Sequence, residues 1–375
     1  MRFSASFAVR FLGCFAAGSC LFAIAIGRMC GPVPTLRSIE KLRLIHMPNI
    51  TPARSDEKLS FLDTESGRSM PVNLPPGETV EWASCSAWQD EQGQRQIVGR
   101  WKSRSGDGAE KLVNEFGLAR FSFPEGKPLN RIPLEINPKS TPCWYPGTTA
   151  KILYSASDGG LYRFSFESSR SADADAEGCD TRPQPIVWKV APPGEAERSV
   201  RISDPVWPEN QAFGGLLFVS LSMQTYEGDH LEWTLPRIWW LRLDREGAAI
   251  EAAGPLMTDD PVSDVNVKDR FPCPIRMRDG RCRIAFLSHH PEQSSWDLRI
   301  APIGFDGSGI PRVDRDATRV VVEHCSLVPP VFSADARWLY FHSASAAPGQ
   351  THRTPVPDEP ARTSGSSIAP TMSRL

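Results

Sequence analysis

The stretch PCWYPGTTAKILYSASDGGLYRFSF, residues 142–166, decides the fold class of the chain. Pro146-Gly147 and Asp158-Gly159-Gly160 are turn signals, because proline fixes φ and glycine tolerates a positive φ. The segments around these turns are apolar, aromatic and nearly alternating, which is typical of short strands. We therefore expect three strands in this stretch, since no helical period runs through it.

The layout of this stretch recurs along the chain, and internal repeats are the signature of repetitive architectures. Each copy has a proline or aromatic anchor, a polar or glycine-containing turn, and an apolar strand. The other copies span 84–101, 203–220, 271–288 and 328–343. The five anchor positions are Trp88, Trp144, Trp207, Arg276 and Phe332, of which Arg276 breaks the aromatic rule.

Every copy except the last continues into an outer half, which is a further strand that ends in an acidic or glycine turn. The last copy lacks one, whereas an unmatched outer half, LSFLDTESGRSMPVNL at 59–74, stands near the N-terminus. We predict that residues 59–74 pair in one sheet with residues 328–345, because N-terminal strands that complete the last unit close a ring.

The repeats predict an all-β protein, a β-propeller of five or six four-stranded blades whose ring is closed by N-terminal strands completing the C-terminal blade. Five inner halves are present, and LRLIHM within 35–58 is the candidate remnant of a sixth blade. A pair of β-sandwiches is the alternative fold for a chain with this periodicity. Trp144, Trp207 and Phe332 are predicted to be equivalent buried anchors, one in each blade.

The segment IAFLSHHPEQSSWDLRIAPIGFDGSG, residues 284–309, resembles the WD40-like Tol-B (PD40) repeat of six-bladed propellers. The residues at motif positions of that repeat are Ser288, Trp296, Asp297 and Leu298. The resemblance extends in degenerate form over residues 59–345. It implies one blade for each repeat and a protein that acts through interactions with other molecules.

The two ends of the chain differ in composition from the repeats between them. Residues 11–27 are an uncharged apolar run that follows two arginines, so residues 1–30 are predicted to be a signal peptide or a membrane anchor. Residues 35–346 form the predicted propeller. We expect residues 347–375 to be a disordered tail, because they carry too little apolar surface to offset chain entropy. The leader predicts an exported protein, periplasmic or at the cell surface.

Charge and cysteine content exclude several classes of function. The formal net charge is −2 and no run of basic residues is present, so a nucleic-acid partner is not expected. No C-x-x-C pair exists, so zinc-ribbon and thioredoxin-type sites are not expected either. Cys273 and Cys282 flank a turn and are placed to cross-link a hairpin. The alternative is that the cysteines are small buried apolar residues.

Motifs that carry chemistry are absent from the sequence, which has no G-x-S-x-G, H-E-x-x-H or P-loop. An acidic run from Asp173 to Gly178 imitates half of a calcium loop, but Gln184 replaces the carboxylate expected at its twelfth position. His289-His290-Pro291-Glu292 is a cluster of ligand-type side chains without a visible third ligand. We therefore predict no catalytic residue, no metal and no cofactor.

The candidate binding residues lie in the connections between the second and third strands of consecutive units. Equivalent loops of a propeller rise on one side of the ring, and loops on a rigid scaffold are where binding usually resides. We predict that these loops crowd one face and that the binding residues are Asp158, Asp229, His230, Trp233, His289 and His290. Trp233 is the first-choice contact, and packing on Trp239 or Trp240 is its competing role.

Three classes of function fit these observations. The first is an exported, non-enzymatic propeller that presents a loop face to a protein or cell-envelope partner. The alternative is a propeller hydrolase that acts on a glycan or lactone through loop carboxylates. The third is a propeller that serves only as a structural spacer. A convergent acidic pocket at the channel mouth would favour the hydrolase, whereas an aromatic loop rim would favour the interaction protein.

Overall fold

The structure, a computed structural model, describes a set of stretches between residue 42 and residue 357. They are residues 42–46, 59–63, 69–71, 79–86, 88–105, 113–123, 127–166, 182–190, 200–208, 213–227, 230–257, 267–289, 295–313, 315–344 and 351–357. The chain divides into two compact units, residues 1–42 and 43–375. Nearly all of the described residues belong to the second unit.

Strands make up nearly all of the regular structure in the described residues, together with a 3₁₀ turn at Arg315–Ala317. None of these residues belongs to a helix with the length and hydropathy that a membrane span requires. The strands are β1 (Leu42–His46), β2 (Leu59–Asp63), β3 (Ser69–Pro71), β4 (Thr79–Cys85), β5 (Arg95–Ser105), β6 (Val113–Phe123), β7 (Pro128–Pro133), β8 (Cys143–Trp144), β9 (Lys151–Ser155), β10 (Leu161–Ser165), β11 (Gln184–Pro185), β12 (Val187–Trp188), β13 (Val200–Val206), β14 (Leu217–Glu227), β15 (His230–Trp233), β16 (Arg237–Leu243), β17 (Ala249–Pro255), β18 (Lys268–Arg276), β19 (Cys282–His289), β20 (Trp296–Phe305), β21 (Pro311–Arg312), β22 (Arg319–Cys325), β23 (Val331–Phe332), β24 (Trp338–His342) and β25 (Thr351–Pro355).

The described strands form six sheets that follow one another along the chain. The five sheets from β4 onward are the blades of a propeller, and each contains one of the five repeats found in the sequence. Blade 1 contains β4–β7, blade 2 β8–β11, blade 3 β12–β17, blade 4 β18–β22 and blade 5 β23–β25. The predicted all-β propeller is confirmed, with five blades. The strand expected in LRLIHM is β1, which joins β2 and β3 in a separate three-stranded sheet.

Within the blades, short turns join strands that pair antiparallel with their neighbours in the chain. Blade 3 departs from this pattern in two places. β15 pairs only with the distal half of β14, which makes a hairpin that projects beyond the sheet. β12 pairs parallel with β17, so the chain that leaves blade 2 forms the outer edge of blade 3 before it enters the inner strand β13.

Hydrophobic clusters fill the spaces between consecutive blades. Successive side chains of a strand point to opposite faces of its sheet, so blades 2, 3 and 4 each contribute to two clusters. In β14, Val219 packs with Leu153 of blade 2, whereas Phe218 packs with Ile284 of blade 4. Clusters of the same kind join blades 1 and 2 and blades 4 and 5. Each blade is therefore stabilised by the faces of its neighbours, as the layered packing of sheets requires.

The predicted pairing of residues 59–74 with residues 328–345 is wrong. β2 and β3 pair with each other and with β1, in a sheet that contains none of the strands of blade 5. The third strand of blade 5 is β25, which pairs with β24 along its whole length. The N-terminal strands do not complete the C-terminal blade, because β25, which follows β24 in the chain, supplies the strand instead.

The strand β25 also corrects the predicted boundary of the disordered tail, which was placed at residue 347. The outer strand of a blade is half-buried or exposed to solvent, as residues 351–357 are, so it needs few apolar residues. The ring of His352 stacks on Phe341 with 5.7 Å between centroids, and the guanidinium of Arg353 lies 4.3 Å from the ring centroid of Trp338. Residues 358–375 lie outside the described residues.

Two of the three predicted anchors are fully buried. Trp144 and Phe332 are 3% and 5% exposed. Trp207 is half-buried one residue beyond β13, where it contacts Tyr145 with 4.8 Å between ring centroids and donates from Nε1 to the carbonyl of Gly215 at 2.9 Å. Its position therefore differs from that of the other two anchors.

The cysteines of the described residues form no disulfide with one another, and this includes the pair that was considered for a cross-linked hairpin. Cys273 is paired with Ala285 and Cys282 with Arg276, so the register does not bring the two cysteines opposite each other. Burial raises the pKa of the Cys143 thiol and of the Cys325 thiol to about 12. These residues behave as small apolar groups.

Candidate functional site

The predicted binding residues lie in the connections between the second and third strands of blades 2, 3 and 4, at the end of the sheets that we call the loop face. Backbone hydrogen bonds join two of these connections to the inner strand of the next blade. The amide of Ile202 in β13 donates to the carbonyl of Gly159 at 2.9 Å, and the amide of Asp269 in β18 donates to the carbonyl of Pro236 at 2.8 Å. The loop face is therefore continuous from blade 2 to blade 4.

Asp158 is exposed in the turn of blade 2, and its carboxylate is used within that turn. Oδ1 accepts the amide of Gly160 at 2.9 Å, and Oδ2 accepts the hydroxyl of Tyr162 at 2.5 Å. Desolvation and the hydrogen bond to Asp158 raise the pKa of Tyr162 to about 12. Asp158 shapes its turn as aspartates commonly do, and its role as a binding residue stays a prediction.

Trp233 is half-buried at the end of β15. The guanidinium of Arg201, in β13, lies 3.8 Å from the centroid of the Trp233 ring. This is a cation–π contact, in which the guanidinium carbon lies over the aromatic face. In the part of the chain that the structure describes, the contact of the Trp233 ring is with Arg201 and not with the rings of Trp239 or Trp240.

The absence of a side chain at Gly159 allows the aliphatic part of Arg201 to pack against the turn of blade 2. The φ of Gly159 is +89°, and a Cβ at this position would lie 2.7 Å from Cγ and 3.2 Å from Cα of Arg201. A side chain does not fit there, and glycine also has the required backbone freedom. Arg201 therefore joins two blades, because its stem packs on the turn of blade 2 and its guanidinium on the hairpin of blade 3.

The strand register places two polar side chains beside Arg201 and Trp233. Arg201 is paired with Ser222, and Trp233 is paired with Gln224 on the other side of β14. Directly paired residues share a face of the sheet, and so do residues two apart in a strand. The four side chains thus lie on one face, each exposed or half-buried. We call this set of four residues the Arg201 platform.

Two buried carboxylates hold arginines between blades 3 and 4. Asp204 accepts two hydrogen bonds from Arg270, at 2.9 Å from Nε and 2.8 Å from Nη2. Oδ2 of Asp269 lies 2.9 Å from Nε of Arg237. The aspartate side chains are 3% and 2% exposed, whereas those of the arginines are 26% and 25% exposed. The loop face therefore presents the guanidinium groups and hides the carboxylates.

Asp269 has a perturbed ionisation equilibrium. Burial raises the pKa of its carboxyl above the ordinary value, while Arg237, Ser288 and Arg299 act in the opposite direction. Asp297 is the third buried acid of this region, and its Oδ2 lies 3.8 Å from Nη2 of Arg299. Each of the three acids has an arginine within ion-pair distance.

The inner strands of blades 3 and 4 share a backbone irregularity. The register shifts between Ser203 and Val206 and between Arg270 and Cys273. Within each shift, the residue that precedes a proline is left-handed, with φ 52° at Asp204 and φ 54° at Phe271. Such a conformation costs about 1–3 kcal/mol. The bulges re-aim side chains, as bulges beside functional sites do, and here they bring Asp204 of one blade to Arg270 of the next.

His289 lies at the end of β19 in blade 4, where its ring contacts Trp296 with 5.1 Å between centroids. Its Nδ1 is buried and has no hydrogen-bond partner among the residues that the structure describes. His230 belongs to β15, but its side chain is not among those described. Asp229 and His290 lie outside the described residues. The structure brings the turn of Asp158 and Trp233 together through Arg201, and it places His289 one blade further along the loop face.

The chemistry offered by the described part of the loop face is cationic and aromatic. Its buried acids are already paired with arginines, and no group of three or more metal-ligating side chains occurs in the described residues. Sequence reasoning missed Arg201, Arg270 and Asp204. A signal for the last two exists, since Ser203-Asp204-Pro205 and Arg270-Phe271-Pro272 put opposite charges beside proline in adjacent repeats.

No protein-family model matches the sequence, and no curated protein matches it. Similar solved structures include a protein of unknown function from Dyadobacter fermentans, with TM-score 0.45 and 12% identity over 84% of this chain and 94% of that one. A putative 6-phosphogluconolactonase from Bacteroides uniformis has TM-score 0.40 and 11% identity over 84% and 95% of the two chains.

A GH43 protein from Bacillus licheniformis is similar with TM-score 0.39 and 13% identity, over 80% of this chain and 61% of that one. At these TM-scores and identities the likenesses carry no argument about function. The propeller is established by the order and pairing of the sheets in this chain.

Proposed function

We propose that the protein is a binding propeller whose loop face takes up a protein or a component of the cell envelope. The observation that carries this proposal is the stack of Arg201 on Trp233 at the rim of blade 3. Tryptophan and arginine are the residues in which binding hot spots are enriched. The stack is supported by two rigid blades, so the surface is formed before a partner arrives.

The test compares Trp233→Ala with Trp338→Ala. Trp338 carries a similar stack with Arg353, but it lies beside the turn at the opposite end of its sheet. The purified protein is immobilised and exposed to envelope extract of its own source cells, and captured components are quantified by mass spectrometry. We expect Trp233→Ala to reduce specific capture at least about thirtyfold, the size of a hot-spot loss, and Trp338→Ala to leave it unchanged.

Melting temperatures of both variants accompany the capture measurement. A drop in melting temperature for Trp233→Ala with unchanged capture would make the hairpin a structural element and contradict the proposed role of the loop face. Equal loss of capture in both variants would show that the loop face is not the surface that binds.

We also propose that the protein is exported, to the periplasm or the cell surface, through residues 1–30. The support is the apolar run that follows Arg2 and Arg10 in the sequence. A fusion of residues 1–30 to a reporter that is active only outside the cytoplasm should become active. Full retention of the intact protein in the cytosolic fraction would refute export.

A hydrolase that acts on a glycan or a lactone is the second candidate. One observation favours it: burial raises the pKa of the Asp269 carboxyl, as a general acid requires. The names of the GH43 protein and the putative lactonase belong to this class, although their similarity is too low to support it. Against it stands the 1% exposure of Asp269, since a catalytic acid must reach its substrate.

Assays of xylan, arabinan and a sugar lactone with purified protein separate the two candidates. Turnover that is abolished by Asp269→Asn, with the melting temperature retained, would establish the hydrolase. Turnover at the level of a buffer blank on all three substrates is the result expected for a binding propeller.

A further inference from the structure

Arg201 differs from the other arginines of the loop face in its electrostatic partners. Arg237, Arg270 and Arg299 each lie within ion-pair distance of a buried aspartate. Arg201 is exposed, and among the residues that the structure describes no carboxylate lies within ion-pair distance of it. Its positive charge is therefore available to a ligand in this part of the chain.

Asp158 and Glu232, which are adjacent in the sequence to Gly159 and Trp233, are not placed to neutralise Arg201. Both carboxylate oxygens of Asp158 accept hydrogen bonds within the turn of blade 2. Glu232 precedes Trp233 in β15, so the alternation of a strand directs its side chain to the face opposite the Arg201 platform.

The stack on Trp233 leaves the hydrogen-bonding edge of Arg201 open. A guanidinium that lies flat on an aromatic ring uses its plane in the contact, and its N–H groups point outward in the plane. These donors form a fork that matches the two oxygens of a carboxylate, a sulfate or a phosphate. The amide of Gln224 and the hydroxyl of Ser222 share the same face and supply further donors.

Arg201 is also fixed in position before any ligand binds. Its stem lies against the backbone of Gly159, where a Cβ would come within 2.7 Å of Cγ, and its head lies 3.8 Å from the Trp233 centroid. A long exposed arginine normally loses rotamer freedom when it binds, and that loss reduces affinity. Here part of this freedom is already lost in the folded protein.

We propose that the Arg201 platform binds an oxyanion of the ligand, a carboxylate, sulfate or phosphate group, through the outward edge of the Arg201 guanidinium. This inference rests on the proposed binding role of the loop face and adds the chemical class of the group that is recognised. Charge complementarity selects the oxyanion, because the platform offers donors and a positive charge and no described free acid.

The test follows the Nε–Hε resonance of Arg201 by NMR in the full-length protein labelled with [15N]arginine. The resonance is identified by its absence from the Arg201→Gln spectrum. Sodium acetate, sulfate and phosphate and an oligogalacturonate are titrated separately, with sodium chloride holding the ionic strength constant. A neutral oligosaccharide is the blank. Arg245→Gln is the matched control, since Arg245 is an exposed arginine in the turn between β16 and β17, at the opposite end of blade 3.

We expect the Arg201 resonance to shift and saturate with at least one oxyanion and to stay in place with chloride and the neutral sugar. Arg201→Gln should weaken the binding of that anion at least about tenfold, the value of a hydrogen bond to a charged group. Arg245→Gln should leave it unchanged. Saturation with inorganic anions alone identifies a free or terminal anion, and tighter saturation with oligogalacturonate identifies an acidic saccharide.

The inference is overturned if no oxyanion shifts the Arg201 resonance more than chloride does, or if Arg201→Gln and the wild type bind equally. Its failure differs from failure of the proposed function. Loss of capture in Trp233→Ala without any anion binding would leave the binding propeller standing and remove the oxyanion. Anion binding at Arg201 with capture that does not depend on Trp233 would establish the oxyanion site and contradict the proposed function of the loop face.

Discussion

Asp204 combines a backbone role and an electrostatic role in one residue. Its φ of 52° lies in the left-handed region, which aspartate enters more easily than most residues. Its side chain is 3% exposed and accepts both hydrogen bonds of the Arg270 fork. The bulge strains the backbone at Asp204 and also points the carboxylate at the next blade. The ion pair with Arg270 therefore offsets the conformational free energy of the strained backbone.

Asp204→Asn separates these two roles, because asparagine also tolerates the left-handed region while it lacks the charge. We expect the free energy of unfolding to fall by about 3 kcal/mol, since the change leaves the half-buried Arg270 charge without its partner. Urea denaturation measures this. Asp279→Asn is the control, because Asp279 pairs with Arg281 on the exposed turn of blade 4, where loss of a pair costs about 1 kcal/mol or less. Equal losses in the two variants would contradict the interpretation.

Residues whose role depends on their own size were predictable from the sequence, whereas residues whose role depends on another blade were not. Trp144 was identified as an anchor because a large apolar ring in a strand is buried wherever the strand packs. Arg201 was missed because its position is set by Gly159 and Trp233, which lie 42 and 32 residues away in the numbering. No local pattern contains that information.

At the scale of elements, β12 is the strand that connects two blades most directly. It directly follows β11, the last strand of blade 2, and it pairs parallel with β17 of blade 3. Nζ of Lys189, the residue after β12, lies 2.9 Å from Oδ2 of Asp244 in the turn between β16 and β17. The hydroxyl of Tyr145 in blade 2 donates to the carbonyl of Gly247 in the same turn at 2.9 Å. This turn of blade 3 is therefore held from the side of blade 2.

The Lys189–Asp244 pair predicts a pH dependence of stability. The hydrogen bond from Lys189, with backbone donors of the turn, lowers the pKa of Asp244 from 3.8 to about 2. A carboxyl whose pKa is lower in the folded state stabilises the fold above its unfolded pKa, and that contribution is lost as the pH falls through the folded value. Between pH 4 and pH 2, the free energy of unfolding should therefore fall more steeply in the wild type than in Asp244→Asn.

Denaturation with urea at several pH values measures the two slopes. Asparagine retains the oxygen that accepts the amide of Ala248, so the turn itself is preserved in the variant. Parallel slopes for the two proteins would show that the ion pair does not contribute to folding.

Strands with an apolar period were predictable, and strands defined by pairing alone were not. β9, β14 and β19 are read directly from runs such as KILYS and CRIAFLSH. β12 has two residues and β25 is the polar segment THRTP. Both are outer strands whose residues are half-buried or exposed, so neither leaves a periodic apolar signal in the sequence.

At the scale of the whole molecule, each blade is stabilised mainly by the faces of its neighbours. Hydrophobic clusters follow one another from blade 1 to blade 5, each shared by two consecutive sheets. This explains why the repeat predicted a propeller of five or six blades, since each of the five inner halves forms one sheet. The source of the last strand was not predictable, because the repeat period does not determine which segment covers the edge of β24 in blade 5.

Removal of β25 should therefore lower the stability of the fold, whereas removal of the residues after it should not. A chain that ends at residue 345 exposes the edge of β24, and the chain that ends at residue 357 keeps β25 and the hydrogen bond from the amide of Val356 to the carbonyl of Arg337. We expect the shorter chain to lose about 3 kcal/mol of unfolding free energy, the sum of five cross-strand pairs.

The shorter chain should also self-associate, because β24, which contains the buried Leu339 and Phe341, then becomes an exposed edge strand. Urea denaturation and size-exclusion chromatography of both chains measure these effects. The chain that ends at residue 357 should match the full-length protein in both measurements, since Pro357 retains the carbonyl that accepts a hydrogen bond from Arg283. If the two truncated chains were equally stable and equally monomeric, blade 5 would not depend on β25, and the edge of β24 would have to be protected by another part of the chain.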